Sequence, residues 1–499
     1  MSAIRLALGA SLAFGGLTAA APVTDGVVKT AAAGIQARDT TTTIDAKSNW
    51  GIWEGWGISL AWWAKAFGNR DDLADVLFTL KSTSFSGQSL PGLGFNIVRH
   101  NAGASSWNTY DGDKMTASAN IKTSRQIEGH WVDWASSDPA SSSWDWTVDA
   151  NQRAMLSKAQ SRGANHLELF SNSPMWWMCA NHNPSGASDG GENIQSWNLQ
   201  DHAVYMATIA KYAKDNWGVT FESVDPFNEP TADWWKADGT QEGSHFDVST
   251  QATVINYLRS ELDDRGLTST IVAAADESYY DQALAAANGW GSAALGHVGR
   301  INVHGYQYGD GARDKLHDVA SSNSKRLWNS EYGESDATGG RLASNLLLDF
   351  RWLKPTGWVY WQAIDGGGWG LIDGDNDAKT LGSPGQKYWV LAQFSRHIRE
   401  GMRILDGGSG STIAAYDAAN KKLVIAYYNS GSAQTLNFEL AGFSGLPASG
   451  TKVARWRTAV GSSGDRYVQD TGATMSGTKL QSAFGSNVVQ TFEVEGITL

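Results

Sequence analysis

Cysteine is almost absent from this chain. Among 499 residues there is one, Cys179, so neither an intramolecular disulfide nor a cysteine-based metal site can form. In the run Met175-Trp-Trp-Met-Cys179 it reads as a small buried hydrophobe. Without disulfides the fold must rest on a large core, and the length suffices for one large domain and a smaller one. An excess of basic residues is also missing. Lys and Arg number 39 against 51 Asp and Glu, a net charge of −12, with the acids scattered rather than in runs. This lacks the electrostatic footprint of a nucleic-acid or anionic-membrane binder and fits a neutral or weakly charged partner. No segment is long and apolar enough to span a membrane. There is no Asn-x-Ser/Thr acceptor, so N-glycosylation is not expected, and neither an internal repeat nor a low-complexity linker is evident. His182, His245 and His304 have no ligand spacing among them, so no metal is expected. Asp365-Gly-Gly-Gly-Trp-Gly370 lacks the Lys-Ser/Thr ending of a phosphate loop, and no Gly-x-Ser-x-Gly elbow accompanies a serine triad. No cofactor is expected.

Tryptophan, by contrast, is abundant, at 24 residues. Core packing rarely calls for so many large rings bearing a polar N–H. Flat aromatic faces stack on the apolar faces of sugar rings, so the excess leans towards carbohydrate, beside the plainer reading of an aromatic-rich core. The N-terminus has the pattern of a secretory signal: Arg5, an apolar run over 6–17, and small residues Thr18-Ala19-Ala20 before Ala21. We expect a signal peptide over 1–20, a pro-segment over 21–38, and an extracellular protein.

Strand-like and helix-like segments alternate over 53–400. Strands are expected at 54–59, 94–100, 166–170, 219–227, 269–275, 300–305, 326–330 and 357–362. Helices are expected at 70–77, 148–162, 199–217, 250–265, 341–352 and 388–399. Eight such units of this length predict a (β/α)8 barrel. Beyond residue 400 the helical period stops. Short strands at 411–416, 423–428, 435–439, 452–457 and 488–494, divided by Gly/Ser/Asn turns, predict a small antiparallel β-sandwich over 401–499. The region 39–52 is expected to lend it a strand, at 41–45. With no linker between them, the two parts should pack together.

In a parallel barrel, chemistry sits where strands run into the following loops. The expected strand ends carry Trp56 and Ser59; Arg99, His100 and Asn101; Ser171 and Asn172; Asn228 and Glu229; His304 and Tyr306; Glu331; Trp361 and Asp365. A carboxylate at the end of a buried strand is costly unless it has a use. Two of them, on separate strands, are what cleavage of a glycosidic bond requires: one donates a proton, the other attacks or activates water. The plainer reading of either glutamate is a structural ion-pair partner. Glu334, three residues past Glu331, competes with it; Glu168 and Glu222 lie within strands and read as structural.

Several of these motifs occur together and in order: Glu54-Gly-Trp-Gly-Ile-Ser-Leu-Ala-Trp-Trp-Ala64, Gly94-Phe-Asn-Ile-Val-Arg-His-Asn101, Ser171-Asn-Ser-Pro-Met-Trp-Trp-Met178, Asp225-Pro-Phe-Asn-Glu-Pro230 and Asn329-Ser-Glu-Tyr-Gly333. In this the chain resembles glycoside hydrolase family 30, and within it the fungal endo-β-1,6-galactanases, over roughly residues 40–499. The resemblance implies a retaining barrel enzyme with Glu229 as acid/base and Glu331 as nucleophile. Glu331 must then be ionised, with Arg99 and Tyr306 as candidate neighbours, and Glu229 must begin protonated. Asn228 is expected on the sugar 2-hydroxyl. Trp361, then Trp62 and Trp177, are the candidate stacking platforms. Asn172, Trp56 and His304 complete the expected substrate contacts, His304 equally readable as a core hydrogen-bonding residue. The expected activity is that of a secreted monomer cutting β-1,6-galactan, as on arabinogalactan side chains, without partners among nucleic acids or membranes. A β-1,6-glucanase or xylanase of the same family is the alternative within the class. A catalytically silent carbohydrate-binding protein is the alternative outside it.

Overall fold

The computed structural model describes residues 38–499. The expected signal peptide, and the pro-segment up to its last residue, lie outside the described residues. Eight strands close into a parallel barrel: Gly55–Ser59, Ile97–Asn101, His166–Phe170, Ser223–Asp225, Ile271–Glu277, Val298–His304, Arg326–Tyr332 and Gly357–Tyr360. Numbered one to eight in that order, each pairs in parallel with the next, and strand eight pairs with strand one. Strands one and two are buried at every residue, as expected for a sheet covered on both faces.

The covering helices follow from their apolar stripes. In Asp71–Phe78 the buried positions include Leu73, Val76 and Leu77, one face of a 3.6-residue period, and Asp71 and Asp72 suit the positive end of the helix dipole. The helices Tyr280–Gly289, Gly291–His297 and Arg313–Ser322, which the sequence reading leaves unassigned, fill the units after strands five and six. Strand four is far shorter than the expected 219–227. Pro226 has no N–H to give the ladder and ends the pairing at Asp225. Strand seven is longer than expected and runs through Glu331 to Tyr332.

Charged and amide groups occupy the barrel interior. Arg99 Nε donates to Glu168 at 2.9 Å, Arg300 pairs with the same carboxylate, and Asn302 bridges Glu168 at 3.0 Å and Asp225 at 3.1 Å. Buried charges persist only when paired, and burial beside Asp276 and Glu168 pushes the Asp225 carboxyl well above its usual range. Glu222 binds His166 and Arg326 nearer the opposite end of the barrel.

The remaining strands form one nine-stranded sheet. Arg38–Thr43 opens it and pairs in parallel with Gln434–Glu439; the other pairings are antiparallel. The sheet curls so that its two halves face one core. Tyr427 on Lys422–Asn429 and Phe438 on Gln434–Glu439 are not on neighbouring strands, yet their rings lie 5.9 Å apart, and Phe438 lies 5.5 Å from Phe492. This is the sandwich. Its hairpin of Val468–Ser476 and Lys479–Phe484 is absent from the sequence reading, because the first of these strands is mostly exposed and lacks an apolar alternation. The helix Gln386–Ser395 is buried at every residue. It lies between barrel and sheet, where Gln393 Nε2 donates to Thr458 Oγ1 at 2.8 Å and Thr491 Oγ1 donates to the Gln393 carbonyl at 2.8 Å.

Candidate active site

An open groove of about 490 Å³ lies at the carboxyl ends of the barrel strands. Glu229 and Glu331 are on its wall, and both are nearly buried. Pro226-Phe227-Asn228 carries the chain from the end of strand four to Glu229, which adopts left-handed backbone at φ 49°. Such a conformation costs a non-glycine residue energy and clusters at functional sites. The Glu229 amide donates to the Asp276 carbonyl at 2.8 Å, which ties strands four and five together beneath the groove. One carboxylate oxygen from each glutamate and Nδ1 of His304 all lie within 4.8 Å of one another.

The surroundings of Glu331 are cationic and donating. Arg99 Nη1 reaches Oε2 at 2.8 Å and the Tyr306 hydroxyl donates to Oε1 at 2.8 Å. Burial raises the Glu331 carboxyl above its ordinary range, with Glu229 and Asp276 adding to that; His304 and Arg99 oppose it. His304 is 3.2 Å from Glu229, 3.6 Å from Glu331 and 3.5 Å from Asp276. Burial disfavours its charge, but the carboxylates of Glu331, Asp276 and Glu229 prevail and push its pKa up to about 10. As an imidazolium it donates from Nδ1 to Glu229, faces the charges of Glu331 and Asp276, and offers no lone pair to a metal ion.

The aromatic wall comes from several loops. Trp62 and Trp361 meet edge to face at 4.9 Å and 84°, and the Arg125 guanidinium lies 4.3 Å from the Trp62 ring. Trp234 and Trp369 line the groove and are also exposed. Asn228 lines it too, with an Oδ1 that has no protein partner.

Of the expected contacts, Asn228, Tyr306, Trp361 and Trp62 line the groove. Five require correction as substrate contacts. Trp56 points out of the barrel, where its Nε1 donates to the Ile398 carbonyl at 2.7 Å and its ring packs against Trp53 and Phe350. Strand side chains alternate in direction, so the neighbours of Trp56, not Trp56 itself, face the axis. Arg99 and His304 are fully buried and meet the glutamates from beneath. Trp177 packs on Trp131 and donates to its carbonyl at 2.7 Å, and Asn172 is buried off the groove wall. Glu334 turns away to Lys387, whose Nζ is 2.8 Å from it. Cys179 is buried, which pushes its thiol up to about 12.

Asp276 is the group the sequence reading missed. It has φ 54°, and its side chain contacts Arg99, Ser330 and His304. Strand five was expected to stop at 275; extending it by one residue brings Asp276 under the same strand-end rule. Trp234 and Tyr308 sit on loops and Arg125 ends the single 3-10 turn Thr123–Arg125, where no periodic pattern announces them.

A parallel barrel with two carboxyls brought together at its carboxyl-end rim, in a groove walled by tryptophan, has the architecture of a glycoside hydrolase. The sequence model of O-glycosyl hydrolase family 30 matches residues 33–294, and this chain belongs to that family. An endo-β-1,6-galactanase from Hypocrea rufa is 60% identical over 461 residues, covering 92% of this chain and 96% of that protein. An exo-β-1,6-galactobiohydrolase from Bifidobacterium longum subsp. longum is 23% identical over 492 residues, covering 75% of this chain but 31% of that protein. Among solved structures, the catalytic domain of family 30 xylanase C from Talaromyces cellulolyticus superposes with a TM-score of 0.66 at 20% identity, covering 91% of this chain and 100% of that one. At that identity the likeness concerns the fold.

Proposed function

We propose that this chain is a secreted endo-β-1,6-galactanase that works as a single chain on arabinogalactan side chains and retains the anomeric configuration. The sugar and linkage rest on the Hypocrea rufa relative, whose name states that activity and whose match spans nearly the whole chain. Secretion rests on the signal-like segment at 1–20, together with the finding that no helix among the described residues is long and apolar enough to cross a membrane.

The observation that carries the mechanism is the approach of the Glu229 and Glu331 carboxylate oxygens to within 4.8 Å in one open groove. Retaining pairs stand about 5–5.5 Å apart and inverting pairs about 6.5–9.5 Å apart, the wider gap leaving room for water. In the first step Glu331 attacks the anomeric carbon while Glu229 gives its proton to the glycosidic oxygen. The C–O bond breaks, the alcohol half of the chain leaves, and a glycosyl ester forms on Glu331. Loss of the Glu331 charge leaves Glu229 as a base. It takes a proton from water as the water oxygen attacks the same carbon, the ester bond breaks, and both glutamates return to their starting states. Arg99, Tyr306 and protonated His304 hold Glu331 as an anion in the first step and receive it as a leaving group in the second. Asn228 lines the groove, which places its side-chain amide beside a bound sugar.

Hydrolysis of arabinose-stripped β-1,6-galactan, β-1,6-glucan and glucuronoxylan, followed by proton NMR of the first product, tests both parts. The expected result is cleavage of the galactan into a ladder of short oligomers, with the β-anomer appearing first. Glu331→Gln should lower turnover by about three orders of magnitude or more while still binding the chain. Cleavage of xylan alone would remove the galactanase assignment, and an α-anomer as the first product would remove the double displacement.

A further inference from the structure

Strand five, Ile271–Glu277, ends in a β-bulge. Ala275 pairs with Asn302 and Glu277 with the next residue, Val303, so Asp276 between them is the extra residue, at φ 54°. A bulge leaves its extra residue out of the ladder and re-aims the side chains around it. Here the Asp276 carbonyl takes the Glu229 amide at 2.8 Å, and its side chain turns to Arg99 and His304 beneath the groove. Glu277 turns outward to the helix Val248–Asp264, where Gln251 Nε2 donates to its Oε1 at 3.1 Å. Gln251 is itself fixed, because its Oε1 accepts from Trp290 Nε1 at 2.8 Å.

The other oxygen of Glu277, Oε2, accepts twice from Thr231, from the amide at 3.1 Å and from the hydroxyl at 2.7 Å. Thr231 follows Glu229 by two residues, across Pro230. Pro230 has a fixed φ and no N–H, so the segment Glu229-Pro230-Thr231 is anchored to strand five at both ends. The Asp276 carbonyl holds its start and the Glu277 carboxyl its end. Between these anchors Glu229 keeps its left-handed backbone, a conformation that persists only where the surroundings over-determine it. Glu277 is fully buried and does not line the groove. Burial pushes its carboxyl up to about 7 against the donors of Thr231 and Gln251, with the charge of Glu229 adding to the rise. An apolar side chain at this position would carry no such burial cost but could not hold Thr231.

We infer that Glu277 is a positioning residue for the proton transfers made by Glu229. By pinning Thr231 it fixes the turn that carries Glu229, and with it the place of the Glu229 carboxyl beside the glycosidic oxygen. It touches neither substrate nor the reacting atoms, and acts only through that turn. Proton transfer in the transition state requires the donor within hydrogen-bond reach, so a small displacement of Glu229 is felt in the rate. The inference rests on the reading of Glu229 as the acid/base.

A sugar leaving group must be protonated as it departs, whereas dinitrophenolate leaves as a stable anion and needs no acid. The test is therefore the ratio of kcat/KM on arabinose-free β-1,6-galactan to kcat/KM on 2,4-dinitrophenyl β-1,6-galactobioside, measured in the full chain. Both values report the steps up to the glycosyl ester, and the folded fraction of a preparation cancels. Glu277→Leu should lower the ratio by about tenfold or more, and Thr231→Val, which keeps the side-chain shape and the amide contact, by about threefold. A merely structural contact would lower both rates together. A ratio at the parental value in Thr231→Val overturns the inference, including where Glu277→Leu does not fold. Glu229→Ala should lower the ratio further than either variant. A parental ratio in Glu229→Ala overturns the acid/base reading instead, and a parent that cleaves neither substrate overturns the galactanase reading.

Discussion

His304 sets burial directly against charge. Fully buried, its ring would ordinarily lose its proton, yet three carboxylates surround it and hold its pKa up at about 10. The group gains a proton affinity on folding that it lacks in the unfolded chain, where its ordinary value is 6.5. Its contribution to stability is therefore complete below that value and is lost as the pH rises through about 10. Urea unfolding of the parent should accordingly show a free energy that declines across this window, and His304→Gln should show a flatter decline. Tyrosine and lysine titrations elsewhere are common to both proteins and cancel in the difference. Equal slopes would mean that His304 is neutral in the folded protein. Asp276 belongs to the same set: it touches both His304 and Arg99, and each of these touches Glu331.

At the scale of the element, the strands divide their side chains between two tasks. Strand one sends Trp56 outward into a cluster with Trp53, Phe350 and Trp358. In Trp56→Phe the hydrogen bond to Ile398 is lost and a small void remains, a cost of roughly 1–3 kcal/mol. Thermal unfolding should detect it, while KM for galactan stays at the parental value because the ring does not reach the groove. A raised KM with unaltered stability would restore Trp56 to the substrate contacts. The opposite case is Trp361, which follows strand eight by one residue and stands on the groove wall. Position along the strand, rather than residue type, separates the two tryptophans.

The whole molecule is held together by a helix with no free face. Gln386–Ser395 is buried against the barrel on one side and the curled sheet on the other, and His397 pairs with Glu493 at 2.8 Å across the same seam. A chain ending at residue 400 would expose Trp389, Val390 and their neighbours, together with polar groups that have lost their partners. It should accumulate in the insoluble fraction on expression, whereas the chain carrying the sheet stays soluble. A soluble, cooperatively folding truncation would show that barrel and sheet are independent.

The alternation of strand and helix, the later change to short strands, and the two glutamates at separate strand ends were determined by local pattern. Period and turn chemistry act within about ten residues and are written along the chain. Strand four misled at both ends, because its ladder begins only at Ser223 and Pro226 terminates it after Asp225, and the hairpin at 468–484 was missed because its first strand is mostly exposed. The tertiary structure alone decided which strand-end groups meet. Asp276, one residue beyond the expected end of its strand, became the hub beneath the site. Arg99 and His304 became supports rather than contacts, and Trp56 and Trp177 became packing. Whether a side chain faces an axis, a helix layer or a groove depends on the closure and register of all eight strands. No segment carries that information alone, because a shift of one residue reverses every side chain on a strand.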